Sequence, residues 1–307
     1  PINQGRLCAR GQAGIGRTYH PDRIEGPASR SGDGSLQALG WDDVKNKLAA
    51  KLGSAASKTW ILGGPVGPSL DGLIDQFVSA AGIAGRLTYE PFGQQALIEA
   101  SQAVFGVSAA PIFDVSGADL IIDFGADFLD TGLSPTEHAA QFAKNRDVSA
   151  HSDGGARLIA HGAGQNLAAS DADDWLRAAA GREARLALAL AKAVADGKGS
   201  YAAGSALAGA VSNAAIAAAG IERAVFDGLV EKIASAHHAV ALPPGIASST
   251  TTNSGAAAAV LLLNVVAGAM GSLVKLPATD SKPNSTLKDV AALVAEMNAG
   301  NVDCLLI

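Results

Sequence analysis

The sequence predicts an α/β fold built on parallel sheets. Short apolar runs that end at glycine or proline, such as residues 118–125 and 239–245, have the form of buried parallel strands. They alternate with amphipathic segments of about a dozen residues, which is the pattern of β-α-β units. The composition agrees, because 48% of the residues are hydrophobic and 17% are charged. A length of 307 residues predicts one large or two medium domains and excludes a single small one.

Residues 1–53 are expected to form an extended lead-in followed by one helix. The first 30 residues are rich in glycine, arginine and proline and show no apolar periodicity, so we predict irregular structure there. Residues 41–52 predict a helix, because apolar residues recur every four positions and Asp42 and Asp43 fall in the first turn, where the helix dipole favours acidic side chains.

Residues 54–150 are expected to form a first α/β lobe in which strands alternate with helices. We predict strands at residues 59–62, 86–89 and 118–125, and helices at residues 69–81, 94–105 and 135–146. The polar stretch 147–155 then predicts a domain or subdomain boundary.

Residues 151–307 are expected to form a second α/β lobe, of which the final segment, about 287–307, returns to the first. We predict strands at residues 157–161, 239–242 and 302–307, helices at 183–195, 221–234, 256–270 and 287–297, and a helical or irregular segment at 197–219. Residues 256–270 are apolar but shorter than the ~20 residues that cross a bilayer, and Asn264 lies among them, so we predict a buried helix and no membrane span.

Charge and cysteine content exclude some function classes. A net charge of −6 argues against nucleic acid as a partner, because clustered lysine and arginine supply that affinity. The two cysteines, Cys8 and Cys304, lie too far apart in sequence to form a local metal clip. The chain begins at Pro1 and stops within an apolar run at Ile307, so we expect a fragment of a larger protein.

Ligands of parallel α/β sheets bind beyond the carboxyl ends of the strands, which directs attention to the loops after Leu62, Phe124, His161 and Leu242. The glycine-rich residues 63–68 lack the full dinucleotide spacing and have proline where amide donors are needed, so a structural turn is the favoured interpretation. The loop that begins at His161 brings no carboxylate for a ribose or a guanine, and a structural turn is favoured there too.

The remaining polar candidates also favour structural interpretations. We expect Cys8 to be structural or vestigial, His237 and His238 to be solvated at a helix end, and the Asp171, Asp173 and Asp174 cluster to form a surface turn or a helix start. Glu137 and His138 have no serine or cysteine placed to complete a triad. We therefore assign no catalytic, cofactor-binding or metal-binding residue from the sequence.

Short motifs spread over nearly the whole chain carry a resemblance to a known family. They are residues 3–12, 20–23, 26–27, Arg30 and 41–43, then Ala118-Asp119 with Gly125, residues 172–176 with Gly181, and Leu262-Leu263-Asn264 with Gly268 and Gly271. In order and spacing they resemble motifs of the molybdopterin oxidoreductases. The resemblance implies three-layer, parallel-sheet lobes of the type found in that superfamily, as part of a longer chain.

One segment resembles a single branch of that superfamily. Residues 125–131, Gly-Ala-Asp-Phe-Leu-Asp-Thr, with Ser134-Pro135, Phe142 and Arg146, are similar to a segment of the iron–sulfur subunit of alternative complex III, a quinol-oxidising respiratory complex. The resemblance implies a structural domain that lacks the molybdenum cofactor and supports an iron–sulfur half outside this fragment. It also implies multi-haem cytochrome c and integral membrane subunits as partners, at the periplasmic face of the bacterial inner membrane.

Departures from the family pattern agree with loss of the cofactor. The three cysteines that would complete a cluster with Cys8 are either missing or outside this sequence, and Ala160-His161-Gly162-Ala163 replaces the motif with the guanine-binding carboxylate. Residues 180–183 depart from the family's Pro-Gly-Thr-Asp, and residues 91–95 offer molybdenum no thiol or hydroxyl. Two alternatives stay open: a fragment of a molybdenum-bis(pterin) oxidoreductase that acts on a small oxyanion or sulfur substrate, and a free-standing α/β nucleotide-binding enzyme.

Overall fold

A computed structural model describes residues 2–150, 155–198, 212–246, 253–277 and 284–307. The helices are α1 (Ala9–Ala13), α2 (Trp41–Ala55), α3 (Pro68–Ala81), α4 (Gln95–Phe105), α5 (Pro135–Asn145), α6 (Leu167–Ser170), α7 (Glu183–Lys198), α8 (Asn213–Ala219), α9 (Arg223–Ser235), α10 (Asn253–Ala267) and α11 (Leu287–Asn298). The strands are β1 (Ala28–Arg30), β2 (Leu36–Ala38), β3 (Thr59–Gly63), β4 (Gly85–Thr88), β5 (Ile112–Phe113), β6 (Leu120–Asp123), β7 (Arg157–Gly162), β8 (Asp174–Arg177), β9 (Ala239–Leu242), β10 (Val274–Lys275) and β11 (Cys304–Leu306).

The chain divides into two compact units. The larger comprises Pro1–Cys8 and Gln94–Ser281, and the smaller comprises Ala9–Gly93 and Lys282–Ile307. Most predicted helices and strands are found within a few residues of their expected bounds. The predicted α/β class with parallel sheets is confirmed. No helix in the described part of the chain combines the length and apolar character that a membrane crossing needs.

The larger unit is built on a four-stranded parallel sheet in the order β8-β7-β6-β9. Strands β6 and β9 are buried along their whole length, as expected where helices cover both faces of a parallel sheet. One face carries Ile122 and Ile159 against α7 and α9, and the other carries Ile121 and Leu158 against α4 and α5. Each large side chain buried in this way contributes about 1.5–3 kcal/mol. Strands β5 and β10 form a separate antiparallel pair.

The outer edge of β9 is closed by a side chain. The carboxamide of Asn264, on α10, accepts the Ala241 N–H at 2.9 Å and donates to the Ala241 carbonyl at 2.8 Å. It also donates to the Val260 carbonyl at 3.1 Å, and the residue is fully buried. The amide therefore occupies the place of a neighbouring strand, which satisfies two backbone groups that an edge strand would leave unpaired.

The smaller unit is built on a three-stranded parallel sheet in the order β11-β3-β4. Gly85 leaves room for the ring of Trp60, since a Cβ at that position would lie 2.5 Å from the indole. Arg86 of β4 joins the sheet to α3 through Asp71 at 2.7 Å and Asp75 at 3.0 Å. Residues 9–38 add short helical turns and the hairpin of β1 and β2.

Two expectations need correction. The boundary expected near residue 150 does not separate two units, because β6 and β7, on either side of it, are neighbours in one parallel sheet. Part of that boundary, residues 151–154, lies outside the described residues, as does 199–211 of the expected helical or irregular segment. The acidic cluster at 171–174 is not simply a turn or a helix start, since Asp174 begins strand β8, which pairs with β7.

Candidate functional site

The candidate site lies at the carboxyl edge of the four-stranded sheet. From β6 the chain moves to β7 and β8 on one side, while β9 pairs with β6 on the other side. The strand order therefore reverses between β6 and β9, and that is the position at which open parallel sheets usually bind ligands. The loops that follow β6, β7 and β9 determine which ligand could bind at this edge.

The loop after β6 folds tightly around two aspartates. One carboxylate oxygen of Asp123 accepts the Ala126 N–H. Asp127 has a left-handed backbone with φ 49°, which is uncommon outside glycine, and its carboxylate accepts the Thr131 hydroxyl at 2.6 Å. The Asp127 carbonyl accepts three further amides, those of Asp130, Thr131 and Gly132. The loop is therefore held by its own hydrogen bonds.

Both aspartates are buried, with exposed fractions of 1% for Asp123 and 4% for Asp127. Burial raises the pKa of Asp123 to about 7, and the nearby Asp127 charge raises it further, while amides of the loop act in the opposite direction. Asp123 Oδ2 and Asp127 Oδ1 each lack a hydrogen-bond partner among the described residues. Near neutral pH, Asp123 therefore exchanges between a neutral acid and a buried carboxylate.

The loop after β9 closes the edge from the other side. Pro243 and Pro244 have no amide hydrogen, and the Gly245 N–H donates to the Gly125 carbonyl at 3.0 Å. A Cβ on Gly245 would lie 2.5 Å from the Ala126 carbonyl oxygen. The backbones of the two loops thus touch at the point where the strand order reverses.

Gly245→Ala is expected to destabilise the protein by about 2 kcal/mol or more, because the new methyl group must push the two loops apart. Gly164→Ala is the matched control, since a Cβ at this exposed position meets nothing within 4 Å. Urea unfolding of the two variants measures the difference. Equal free energies of unfolding for the two variants would contradict the close approach at Gly245.

His161, at the carboxyl end of β7, is buried rather than exposed in a loop. Its ring lies 5.9 Å from the ring of Phe124, and neither ring nitrogen has a partner of hydrogen-bonding geometry among the described residues. Burial lowers the pKa of His161 to about 4, although the Ala219 carbonyl opposes the shift. The imidazole is therefore neutral at physiological pH, and it offers no positive charge to an anionic ligand.

Aspartates of the acidic cluster pair with arginine side chains of the same chain. Asp173 forms a two-pronged pair with the Arg146 guanidinium at 2.9 and 3.0 Å and accepts the Leu158 N–H at 2.8 Å. Burial acts to raise the pKa of Asp173, but the bonds from Arg146 and Leu158 outweigh it and hold the pKa below its usual value. Asp174 pairs with Arg157 at 2.9 Å. These contacts hold β7, β8 and α5 together.

The other sequence candidates have contacts or exposure of their own. The carboxylate of Asp119 accepts the backbone amides of His237 and His238 at 2.7 and 2.9 Å, while both histidines are exposed. His138 is buried with Nε2 3.2 Å from the Phe113 carbonyl, and burial lowers its pKa. Cys8 is exposed. Among the described residues, no group of three or more histidine, cysteine or acidic side chains is arranged to bind a metal ion.

A surface pocket of about 490 Å³ lies between α5 and the α6 region, and it is lined by Leu129, Ala139, Phe142, Ala143, Arg146, Leu167 and Asp171. The Arg146 guanidinium that lines this pocket is already paired with Asp173. Among the described residues, the other lining side chains are apolar except for Asp171, which is the one carboxylate that the pocket presents.

The loop after β6 and the loop after β9, joined by the contact between Gly125 and Gly245, are named here the closed loop pair. This contact could not be predicted from the sequence. Gly245 and Asp127 are residue types that often mark tight turns, but only the fold shows that both lie at the same edge of the sheet. His161 was singled out for its loop, whereas its burial against Phe124 depends on helices far along the chain.

Similarity to known proteins is found both in sequence and in fold. No protein-family model matches the chain. The thiosulfate reductase molybdopterin-containing subunit PhsA of Salmonella typhimurium is 21% identical over 202 residues, which are 64% of this chain and 25% of that protein. The structure of acetylene hydratase from Pelobacter acetylenicus matches with a TM-score of 0.69 and 14% identity, over 91% of this chain and 40% of that one.

The chain thus spans a quarter of the curated relative and two fifths of the solved structure. At 14% identity the structural match establishes a shared fold and no more. The sequence match and the shared fold together support a relation between this chain and the molybdopterin-containing oxidoreductases.

Proposed function

We propose that this chain is a non-catalytic structural domain of a membrane-associated respiratory complex that oxidises quinol and resembles alternative complex III. The observation that best supports this proposal is the closed loop pair at the carboxyl edge of the larger sheet. Residues 125–131, which carry the resemblance to that complex, form one of the two loops. The segment that carries this resemblance lies at the edge where open parallel sheets usually bind a ligand, and its contact with the loop after β9 supports the proposal.

The residues at this edge do not suit a pterin dinucleotide cofactor. Such a cofactor carries phosphates, which proteins bind with free backbone amides, helix N-termini, lysine and arginine. Here the described residues present two buried aspartates, two prolines and a glycine amide that is already bonded to Gly125. The neutral His161 adds no charge. Among the described residues of the loops after β6 and β9, a diphosphate would face buried acidic groups without compensating donors, so we derive no chemical step through that cofactor.

In this proposal the domain supports other parts of the assembly. The iron–sulfur clusters belong to a half of the subunit outside this fragment, and the partners are a multi-haem cytochrome c and integral membrane subunits. The location is the periplasmic face of the bacterial inner membrane. A chain with no assigned catalytic residue contributes through its fold and its surfaces, and electrons pass through neighbouring parts of the assembly.

Purification of the native protein through an affinity tag tests the proposal. After detergent extraction of membranes, we expect the tagged chain to bring down haem-staining cytochrome c and membrane subunits in fixed proportions, together with quinol-oxidising activity. The control is an equally tagged soluble protein from the same cells. Recovery of the chain from the soluble fraction, without haem and with activity on a small oxyanion or sulfur substrate, would contradict the proposal.

The second candidate is a fragment of a molybdenum-bis(pterin) oxidoreductase. The similarity to the molybdopterin-containing subunit of a thiosulfate reductase favours it, over 64% of this chain. In that case the cofactor would need donors other than the Gly245 N–H, because that amide is bonded to the Gly125 carbonyl.

A further inference from the structure

Three polar side chains lie on one face of helix α5, because they are spaced by three and four positions. All three contact the backbone of residues 113–118, the segment that leads from β5 into β6. We name them the polar face of α5, and they are His138, Gln141 and Asn145. The Asn145 carboxamide donates to the carbonyls of Val115 and Ala118 at 3.0 and 2.6 Å. The helix thus satisfies backbone groups of this segment as a neighbouring strand would.

The other two contacts continue along the same segment. The Gln141 carboxamide oxygen accepts the Val115 N–H at 3.1 Å, and His138 Nε2 lies 3.2 Å from the Phe113 carbonyl oxygen. Because a carbonyl oxygen only accepts hydrogen bonds, this contact assigns the proton of the neutral imidazole to Nε2. Strand β5 itself is two residues long and pairs with the two residues of β10, and so small an antiparallel pair is marginal without further contacts. The polar face of α5 supplies such contacts.

His138 is the member of the polar face that can change its charge. Its exposed fraction is 4%, and Nδ1 has no hydrogen-bond partner in the part of the chain that the structure describes. The neutral imidazole leaves only an acceptor unpaired, whereas protonation would place a second N–H and a positive charge in the core. The Phe128 ring lies beside it, with 6.3 Å between the ring centroids. Protonation is therefore disfavoured while the polar face stays in contact with residues 113–118.

Two carboxylates oppose this effect of burial. Glu137 on α5 and Asp114 in the segment both act to raise the pKa of His138, but burial outweighs them and holds the pKa below its usual value of 6.5. The stability that the neutral imidazole contributes is complete above pH 6.5 and is lost as the pH falls through the lowered pKa. The other ionisable groups of the loop after β6 and of strand β10 are Asp127, Asp130 and Lys275.

We propose that His138 makes the polar face of α5 an acid-sensitive contact, so that its protonation separates α5 from residues 113–118 while the four-stranded sheet stays folded. The separating elements lie outside that sheet, since β5 and β10 form a sheet of their own. Proteins open in such local units at lower free energy than global unfolding requires. The surface pocket described above would change with them, because Ala139, Phe142 and Ala143 of α5 line it. The inference does not depend on the proposed function.

Hydrogen–deuterium exchange of the native, full-length protein tests this inference first without a variant. The separated state takes up its proton with the ordinary pKa of 6.5, so separation becomes up to about tenfold more frequent for each pH unit below that value. Between pH 7.5 and 5, after correction for intrinsic exchange rates, we expect amide protection in α5 and residues 113–118 to fall at least fivefold more than in β6 and β9.

Two variants identify the titrating group. His138→Gln keeps an N–H that can donate to the Phe113 carbonyl but never ionises, so protection in its α5 should not change over this pH interval. His237→Gln is the matched control, because it makes the same change at an exposed histidine, and it should follow the wild-type profile.

Each outcome decides the inference. A uniform loss of protection over α5, β6 and β9 would indicate global unfolding and overturn it, and so would constant protection of α5 in the wild type. The same pH dependence in His138→Gln as in the wild type would assign the effect to another group and overturn it as well. If His138→Gln does not fold, the wild-type profile alone separates local from uniform loss.

Discussion

Asp123→Asn is expected to raise the free energy of unfolding by about 4 kcal/mol at pH 8. Folding raises the pKa of Asp123 from 3.8 to about 7, so the native state keeps a proton that the unfolded chain loses between these values. Stability contributed by the neutral acid is complete below pH 3.8 and is lost as the pH rises through 7. Asparagine keeps the oxygen that accepts the Ala126 N–H but never ionises.

The titration of His161 changes the free energy of unfolding in the opposite direction over much of the same pH range. Folding lowers its pKa from 6.5 to about 4, so its contribution is complete above pH 6.5 and is lost as the pH falls through 4. In the wild type the two contributions largely cancel between pH 4 and 6.5. Asp123→Asn removes one of them, so we expect its free energy of unfolding to rise by about 3 kcal/mol over that interval.

Urea unfolding at half-unit intervals from pH 4 to 8 measures both effects. Asp130→Asn serves as the control, because it makes the same chemical change at an exposed position in the same loop, and we expect it to follow the wild-type profile. If Asp123→Asn also followed the wild-type profile, Asp123 would not be the buried neutral acid described above.

Asn264→Leu is expected to cost about 3 kcal/mol or more in the free energy of unfolding. The leucine has the same branched heavy-atom skeleton, although its methyl groups are bulkier, and it leaves the N–H and the carbonyl of Ala241 buried without partners, at about 1–3 kcal/mol for each group. Asn298→Leu, at the exposed end of α11, is the matched control and should change the free energy by no more than about 0.5 kcal/mol.

Thermal and urea unfolding of both variants, compared at one pH, distinguish the two positions. Similar stability of Asn264→Leu and the wild type would show that α10 does not close the edge of β9. The asparagine belongs to a motif that resembles the molybdopterin oxidoreductases, and this contact gives it a structural role without a cofactor.

The regular elements were predictable because their signals are local. The spacing of apolar residues along α2 and α9, and the apolar run of β9, require only the sequence of the element itself. Strand β8 was missed because its Asp-Trp-Leu-Arg sequence is half-polar, and its strand conformation comes from pairing with β7. Tertiary pairing outweighed local propensity there.

The candidate site was less predictable than the fold. The acidic cluster looked like a surface feature, and its pairing with Arg146 joins residues 27 positions apart. The contact between Gly245 and Ala126 spans a far longer separation and arises only once β6 and β9 lie side by side. The Asp127 backbone, at φ 49°, could not be predicted, because aspartate adopts the left-handed conformation more often than most residues but still at only a minority of positions.

We propose that the carboxyl edge of the larger sheet holds no pterin dinucleotide. The most direct test is the molybdenum, tungsten and iron content of the native, full-length protein, with nucleotide released by acid measured on the same sample. We expect iron from the clusters, no molybdenum or tungsten above background, and no stoichiometric guanosine or cytidine nucleotide. One molybdenum or tungsten atom per chain, accompanied by such a nucleotide, would contradict this proposal and favour a molybdenum-bis(pterin) oxidoreductase.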